Sequence, residues 1–261
     1  MKDSNKNECK VLDIRKDILN SCYKAGVGHI ASSFSVVEIL FILYKYFLNN
    51  TQNDFILSKG HAAPALYAVL KLFNIISNDE YKNYCQFGSK LTSHPTSCIP
   101  SILFSSGALG LGLSVATGIT MVNNLENKKR KTFVLMGDGE LNEGSVWESL
   151  IYVGNKKISN IVVIIDRNNL QASGFTKNII KIEPLICAVK KLGWSVHKTE
   201  GHILSNIKDT LDQIIKNKQP VILILETTKG KGVTFMENNP IWHHKIPNQV
   251  EYLLALRELN L

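Results

Sequence analysis

Two short apolar runs, each ending in a polar turn, constrain the fold of this 261-residue chain more than any other feature. The first run, residues 132–136, leads into Asp138, and the second, residues 161–165, leads into Asn168. A helical pattern lies between the runs, so the stretch is typical of a parallel βαβ unit. Because such sheets bind ligands at the carboxyl ends of their strands, we expect Asp138 and Asn168 to lie side by side.

The residues of these two turns favour a hard metal ion next to a phosphate group. The carboxylate of Asp138 and the amide oxygen of Asn168 are donors suited to Mg²⁺ or Ca²⁺. Gly139 allows a ligand to approach the backbone closely, and a helix predicted to begin near Asn142 offers free N–H groups to a phosphate. The sequence therefore predicts a metal-bridged diphosphate site.

The same stretch resembles the thiamine diphosphate fingerprint, in which Gly-Asp-Gly is followed about thirty residues later by Asn. Its longer string GDGELNEGSVWE resembles the transketolase version of that fingerprint. Further motifs occur in the order seen in transketolases: Gly28-His29, Ser58-Lys59-Gly60-His61, Ser93-His94-Pro95, Ser106-Gly107-Ala108-Leu109-Gly110, Lys229-Gly230-Lys231-Gly232-Val233 and Trp242-His243. The resemblance extends over about residues 14–247, and the chain is identified as a member of the transketolase family.

The remaining pattern predicts an α/β fold, a mostly parallel sheet with helices on both faces, which is the thiamine diphosphate-binding fold that the resemblance implies. Neither a linker nor an internal repeat is apparent, so one domain is expected over residues 1–261, with residues 1–8 frayed. Further strands are predicted at residues 54–57 and 220–225, and residues 88–104 are expected to be irregular. Helices are predicted at residues 11–24, 35–48, 62–73, 78–87, 106–124, 183–192, 203–216 and 250–259.

The resemblance implies which residues bind the cofactor and its metal. Thiamine diphosphate and Mg²⁺ (or Ca²⁺ or Mn²⁺) are the implied cofactors. The implied metal ligands are Asp138, Asn168 and the backbone oxygen of Leu170. The implied cofactor-binding residues are His61, Gly107, Ala108, Leu109, Gly137, Asp138, Gly139, Glu140, Asn168 and His243.

Four residues are the candidate catalytic groups. His29, His94 and His243 match positions that line the substrate channel, where they hydrogen-bond the hydroxyls of the donor and stabilise a developing alkoxide. Glu143 and Glu148 match acidic residues at the dimer interface that link two active sites, and Glu143 is counted with the histidines.

Other polar and aromatic residues are expected to be structural. His202 and His244 are expected at the surface, His197 on a strand-like segment, and Trp147 in the core. Leu111 occupies a position that is commonly polar in transketolases, so a contact near the cofactor is expected to differ here.

The resemblance covers only the first domain of a transketolase. It implies a separate C-terminal subunit that carries the pyrimidine-binding domain and the catalytic Glu, in an α2β2 heterotetramer. The implied reaction transfers a two-carbon ketol unit from a ketose, or ketose phosphate, donor to an aldose acceptor, and it requires both chains. Two alternatives remain at this point: the α subunit of a 2-oxo-acid dehydrogenase or decarboxylase, and a non-catalytic regulatory domain of the same fold.

Composition excludes several other classes of function. The net charge of +8 suits phosphorylated ligands, but the basic runs lack interleaved aromatic residues, so nucleic-acid binding is not expected. Neither an 18-residue apolar run nor a signal-peptide core is present, which predicts a cytoplasmic protein without a membrane span. The five cysteines form no CxxC pair and are expected to be reduced.

Overall fold

A parallel five-stranded sheet forms the centre of the molecule. The computed structural model describes residues 2–49, 51–172 and 174–260. The strands of this part of the chain are β1 (Asp54–Leu57), β2 (Thr132–Gly137), β3 (Ile161–Arg167), β4 (Leu170–Gln171), β5 (Gly174–Phe175), β6 (Ser195–Glu200) and β7 (Val221–Glu226). The sheet has the order β1–β2–β3–β7–β6 with every neighbouring pair parallel, while β4 and β5 form a short antiparallel hairpin. The predicted fold class is therefore confirmed.

Helices cover both faces of this sheet. In the described residues they are α1 (Lys2–Ala25), α2 (Ile30–Phe34), α3 (Val37–Leu43), α4 (Ala63–Leu72), α5 (Asn78–Lys82), α6 (Leu111–Leu125), α7 (Gly144–Lys156), α8 (Thr176–Ile179), α9 (Glu183–Lys191), α10 (Leu204–Ile214) and α11 (Gln249–Glu258). None of the described helices is long and apolar enough to cross a lipid bilayer.

Alternate residues of the strands divide the core into two layers. Phe133 and Leu135 of β2 pack with α1, α3, α4 and α10, whereas Val134 and Met136 pack with α6, α7 and α9. Successive side chains of a strand point to opposite faces, so a continuous apolar run is buried on both sides. This burial explains why β2, β3 and β7 read as unbroken apolar sequences.

The register of the central strands aligns their carboxyl ends. Gly137 of β2 pairs with Asp166 of β3, and Asp166 is in turn level with Leu225 of β7. Residues that follow these strands, including Asp138 and Thr227, therefore meet at one edge of the sheet.

Several helix boundaries differ from those predicted. Helix α1 begins at Lys2 rather than near Val11, and Lys45 donates to the side chain of Asn7 at 2.7 Å. Met1 lies outside the described residues, and the fraying expected at residues 1–8 stays a prediction. Helix α5 ends at Lys82, five residues early, and the chain then turns through Cys85, whose φ of 55° is incompatible with a continuing helix.

Two other helices also differ from the prediction. The segment 35–48 contains all of α3 followed directly by a π-helical turn, Tyr44–Leu48, instead of one α-helix. Helix α6 begins only at Leu111, because Gly110 adopts a left-handed conformation with φ of 86° immediately before it.

The surroundings of two helical glycines, one in α7 and one in α6, predict opposite effects of substitution by Ala on stability. A Cβ on Gly154 would lie 2.3 Å from the carbonyl oxygen of Leu192, whereas one on Gly118 of α6 has no neighbour within 4 Å among the described residues. We expect Gly154→Ala to lower the free energy of unfolding by about 1–3 kcal/mol, because backbone has to move. We expect Gly118→Ala to raise it by about 0.5–1 kcal/mol through helix propensity. Urea unfolding of both variants checks this, and equal effects would contradict the packing.

Candidate functional site

The three predicted metal ligands lie on one cavity at the carboxyl edge of the sheet. Asp138 follows β2, Asn168 follows β3, and Leu170 begins β4, and all three are buried and line the cavity. Asn169 adopts a left-handed conformation with φ of 64°, which reverses the chain between the last two ligands. Asn tolerates this region better than most residues. The structure thus brings these three residues together, while their role as ligands stays a prediction.

Asp166 orients the side chain of Asn168. The carboxylate of Asp166 is fully buried and accepts hydrogen bonds from Asn168 Nδ2 at 2.7 Å, Lys59 Nζ at 2.5 Å and Ser35 Oγ at 2.7 Å, and also from the hydroxyl of Thr227. Because the amide nitrogen of Asn168 is held by Asp166, its oxygen is directed away from that carboxylate. That oxygen accepts from the backbone N–H of Leu170 at 3.0 Å and keeps a second lone pair that a cation could use. Burial on its own raises the pKa of Asp166, but the Lys59 ammonium and the hydroxyl donors hold it below its ordinary value.

Asp138 is a poorly stabilised anion in the chain alone. Its carboxylate accepts from the backbone N–H of Gly139 at 2.9 Å and of Asn169 at 2.8 Å, and Arg167 lies 3.3 Å away. Burial, and then the nearby charge of Asp166, raise the pKa of Asp138 to about 6 in spite of these donors. A divalent cation beside Asp138 would remove this penalty, so the donor set fits a hard metal.

The cavity next to these ligands suits an acceptor-rich anion. It has a volume of about 220 Å³, several times the ~30 Å³ of one water molecule. Gln171 Nε2 and Ser32 Oγ are buried on its wall without a hydrogen-bond partner in the described structure. Buried donors of this kind are normally satisfied, so a ligand with acceptor oxygens completes the site.

Two buried lysines line the same cavity. Lys59 is paired with Asp166, but Lys229 is only 1% exposed and its ammonium has His243 Nδ1, at 2.6 Å, as its hydrogen-bond partner. Among the described residues no carboxylate lies within 4 Å of Lys229 Nζ. Burial and the charge of Lys59 lower the pKa of Lys229 to about 8. Sequence reasoning quoted both lysines within motifs but did not predict that they are buried in the wall of this cavity, since burial of a lysine is not visible in a local pattern.

The predicted channel histidines form one cluster. The ring of His29 lies 5.6 Å from that of His61, 5.9 Å from that of His94 and 5.5 Å from that of His243, centroid to centroid. Burial and neighbouring cationic groups lower the pKa of His29 to about 4, that of His243 to about 3 and that of His61 well below its ordinary value, and burial also lowers that of His94. The four imidazoles are therefore neutral near pH 7, and each can donate one hydrogen bond and accept another.

His244 was missed by sequence reasoning. It is exposed, as expected, but its ring lies 4.4 Å from that of His29 and 4.5 Å from that of His243. Its position directly after His243 in the sequence could have indicated that it lies next to the cluster.

The structure places the turn before α6 at the mouth of the cavity. Leu109 lines the cavity, whereas Gly107 and Ala108 are exposed beside it, and a Cβ on Gly60 would lie 2.7 Å from Ser106 Oγ. Their predicted contact with the cofactor stays a prediction.

Glu140 connects three of the loops around the cavity. It is buried, accepts from the N–H of Gly110 at 2.9 Å and of Gly137 at 3.3 Å, and accepts from the hydroxyl of Ser58. Burial raises the pKa of Glu140. Its carboxylate oxygens are thus engaged with protein donors, so Glu140 positions the loops, and its predicted contact with the cofactor is not tested by this geometry.

The acidic residues near α7 are open to solvent. Glu143 lines the cavity and is exposed, and Glu148, one turn further along α7, is also exposed. Leu111 at the start of α6 is 45% exposed, outside the cavity lining. Exposure suits residues at an interface, but the interface itself stays a prediction.

One expected surface residue is mostly buried. The side chain of His202 is 17% exposed, with Nδ1 3.2 Å from Glu38 Oε2, and its Nε2 accepts from the N–H of Thr228, so it is held by protein contacts and is not the free surface residue that was expected. The position of His202 is explained by the buried carboxylate of Glu38, which also pairs with Arg15. His197 contacts Ser195 Oγ at 2.8 Å, and Trp147 packs against the second core layer.

Comparisons with known proteins agree with this geometry. Residues 7–247 match the family described as "Transketolase, thiamine diphosphate binding domain". The chain is 41% identical to one subunit of the apulose-4-phosphate transketolase of Actinobacillus succinogenes, over 97% of this chain and 95% of the relative. It is 30% identical to a 6-deoxy-6-sulfo-D-fructose transketolase subunit of a Clostridium species, over 94% of this chain and 93% of the relative.

A solved structure extends the comparison to a longer protein. The transketolase of Campylobacter jejuni superposes with a TM-score of 0.90 at 26% identity, covering 97% of this chain. The match spans 42% of that longer chain. The chain therefore belongs to the transketolase family and carries its thiamine diphosphate-binding domain.

Proposed function

We propose that this chain is the N-terminal subunit of a two-chain transketolase. Together with a complementary chain it transfers a two-carbon ketol unit from a ketose phosphate donor to an aldose acceptor, with thiamine diphosphate and Mg²⁺ as cofactors. The relatives that are named as single subunits of a transketolase, which this chain covers almost completely, favour this function over the α subunit of a 2-oxo-acid dehydrogenase. The intact cluster of site residues disfavours a purely regulatory domain.

The environment of Lys229 is the observation that best supports an anionic cofactor. An ammonium that is 1% exposed and has no carboxylate within 4 Å in the described residues is costly to bury. It lies on the same cavity as Asp138 and Asn168, whose oxygens suit a metal that shares phosphate ligands. A bound diphosphate would supply acceptor oxygens to the Lys229 ammonium and ligands to the metal.

The residues of this chain then have separate tasks. Asp138, Asn168 and the carbonyl of Leu170 hold Mg²⁺, while Lys229 and His61 contact the diphosphate. Thiamine diphosphate, when bound, supplies the stabilisation of the carbanion that forms as the ketose is cleaved. The neutral imidazoles of His29 and His94 orient the hydroxyls of the sugar and move protons to and from them.

The partner in this proposal is a second chain that carries the pyrimidine-binding domain. The exposed turn at Gly107 and Ala108 and the exposed Glu143 lie at the open side of the cavity, where such a chain would cover the cofactor. An α2β2 assembly is proposed because it builds each site from both kinds of chain. A cytoplasmic location remains the expectation from the sequence.

The proposed substrate class is a ketose phosphate. The 41%-identical relative is named for apulose 4-phosphate, so this sugar is the first donor to test.

Native mass spectrometry of the complex isolated from its source cells tests the proposal first. We expect a second chain, thiamine diphosphate and a divalent ion to co-purify, and the complex to convert a ketose phosphate and an aldose. A homo-oligomer without cofactor and without ketol transfer would overturn it, and turnover of a 2-oxo acid instead would revive the alternative.

Substituting Lys229 in this complex separates cofactor binding from general charge. We expect Lys229→Met to weaken the binding of thiamine diphosphate, at saturating Mg²⁺, at least 10-fold, because a buried charge-assisted contact is worth about 1.5–3 kcal/mol. Lys231→Met is the matched control, since that lysine is two residues away with a side chain 42% exposed. Equal affinities for the two variants in calorimetry would contradict the proposed diphosphate position.

A further inference from the structure

Three histidine side chains converge at the open side of the cavity. The candidate ligand nitrogens of His29, His243 and His244 all lie within 4.8 Å of one another. His29 caps α2, and the other two end the 3₁₀ turn Pro240–His243. Gly28 allows the two segments to approach this closely. A Cβ at this position would lie 2.4 Å from the carbonyl oxygen of His244.

Several features of this cluster are those of a metal site. His29 Nδ1 is buried and has no hydrogen-bond partner in the described residues, so its position lacks a structural explanation. His29 also holds a left-handed backbone conformation, φ 70°, which is uncommon for a residue with a side chain. His243 uses Nδ1 for its contact with Lys229, which leaves Nε2 for another ligand. His244 is exposed, so an ion can enter from solvent.

The chemistry of the donors selects the kind of ion. Three imidazoles without a carboxylate suit Zn²⁺, Co²⁺, Ni²⁺ or Cu²⁺ and not Mg²⁺, which prefers oxygen. Tetrahedral Zn²⁺ with bonds of about 2.0–2.1 Å requires nitrogens about 3.4 Å apart. The three nitrogens lie within 4.8 Å of one another, so binding of the ion has to draw the side chains closer together. Neutral imidazole, the form favoured by the surroundings of His29 and His243, is also the form that binds metal.

We propose that His29, His243 and His244 form a second metal site, for a divalent transition ion such as Zn²⁺, separate from the Asp138–Asn168 site. The three histidines leave a fourth coordination position open to water or to a ligand. An ion held there lies between His29 and His243, two residues that are predicted to line the substrate channel. Zn²⁺ therefore blocks entry of the sugar at these two histidines.

Calorimetry with Zn²⁺, in excess Mg²⁺, tests the site on the full chain. Cys9, Cys98 and Cys187 are exposed thiols that also bind Zn²⁺, so every protein in the series carries Ser at these positions. We expect one Zn²⁺ per chain, and at least 10-fold weaker binding in His244→Ala and in His243→Ala. His197→Ala is the matched control, since His197 lies outside the cluster beside Ser195, and it should bind as the parent does.

A spectroscopic measurement identifies the geometry. Co²⁺ in place of Zn²⁺ should give the visible absorption of a tetrahedral nitrogen site in the parent and lose it in His244→Ala, while circular dichroism shows that the fold is kept. Zn²⁺ affinity that is unchanged in His244→Ala, or reduced equally in His197→Ala, would overturn the proposal.

The consequence for activity rests on the proposed function and is measured separately. In the assembled enzyme Zn²⁺ should inhibit competitively with the ketose, with at least 10-fold lower potency in His244→Ala. If Zn²⁺ binds through His244 but no ketol transfer is found, the proposed function fails and the metal site stands. If ketol transfer is found and Zn²⁺ does not bind, the proposed metal site fails and the proposed function stands.

Discussion

Asp138→Ala is expected to abolish the binding of Mg²⁺ and thiamine diphosphate in the assembled complex, with at least a 100-fold loss of cofactor affinity. Removing a residue that only supports metal ligands typically costs 10–100-fold in affinity, and Asp138 is proposed as a direct ligand with the only charged oxygen among the three proposed ligands. The loss of its carboxylate leaves an amide and a carbonyl, which do not neutralise a divalent ion next to a diphosphate.

The fold should survive this substitution. The pKa of Asp138 is raised to about 6, mainly by burial and secondly by Asp166, so its negative charge is a cost to the chain at neutral pH in the absence of a cation. Arg167 loses one contact but keeps Thr176 at 2.9 Å and Glu183 at 3.0 Å. Retained structure with lost cofactor binding is therefore the expected combination.

Calorimetry with thiamine diphosphate in excess Mg²⁺ checks the affinity, and circular dichroism checks the fold. Asp212→Ala is the matched control, because the Asp212 side chain is 44% exposed on α10 and, among the described residues, its ion pair is with Lys208 one turn away. Asp138→Asn, which keeps an oxygen but not the charge, should have a cofactor affinity between those of Asp138→Ala and Asp212→Ala. Undiminished cofactor affinity in Asp138→Ala would show that the metal lies elsewhere.

The sequence predicted those parts of the site that follow directly from strand ends. Asp138 and Asn168 each come one residue after the end of a strand whose apolar run is clear in the sequence, so the parallel register alone puts them together. The histidines were predicted through motif order, and the structure places the rings of His29, His61, His94 and His243 in one cluster.

The sequence did not reveal contacts that depend on packing between distant segments. Asp166 binds Lys59 across 107 positions and Ser35 across 131, and no local pattern indicates such a pair. Buried lysines contradict the usual preference of that residue for solvent, so composition argues against finding them. Likewise, the early end of α5 depends on a positive φ at Cys85, which its residue type does not signal.

The missed pair Lys59–Asp166 predicts the largest effect on stability. Their side chains are 1% and 0% exposed, and their charged atoms are 2.5 Å apart. Removing one partner of a buried ion pair leaves an uncompensated charge and typically costs 3–5 kcal/mol, whereas removing both is often nearly neutral. We therefore expect Lys59→Met to lower the free energy of unfolding by about 3–5 kcal/mol, and Lys59→Met/Asp166→Asn to recover at least half of that loss.

Denaturant unfolding of the chain measures these values, and an exposed ion pair supplies the control. Lys82 and Asp79 pair at 3.0 Å with side chains 69% and 89% exposed, so Lys82→Met should change stability by less than about 0.5 kcal/mol. The double variant should still bind cofactor poorly, because Asp166 also fixes the amide of Asn168. A Lys59→Met variant as stable as Lys82→Met would mean that Asp166 is neutral in the folded chain, and the charge balance argued for the whole cavity would then be wrong.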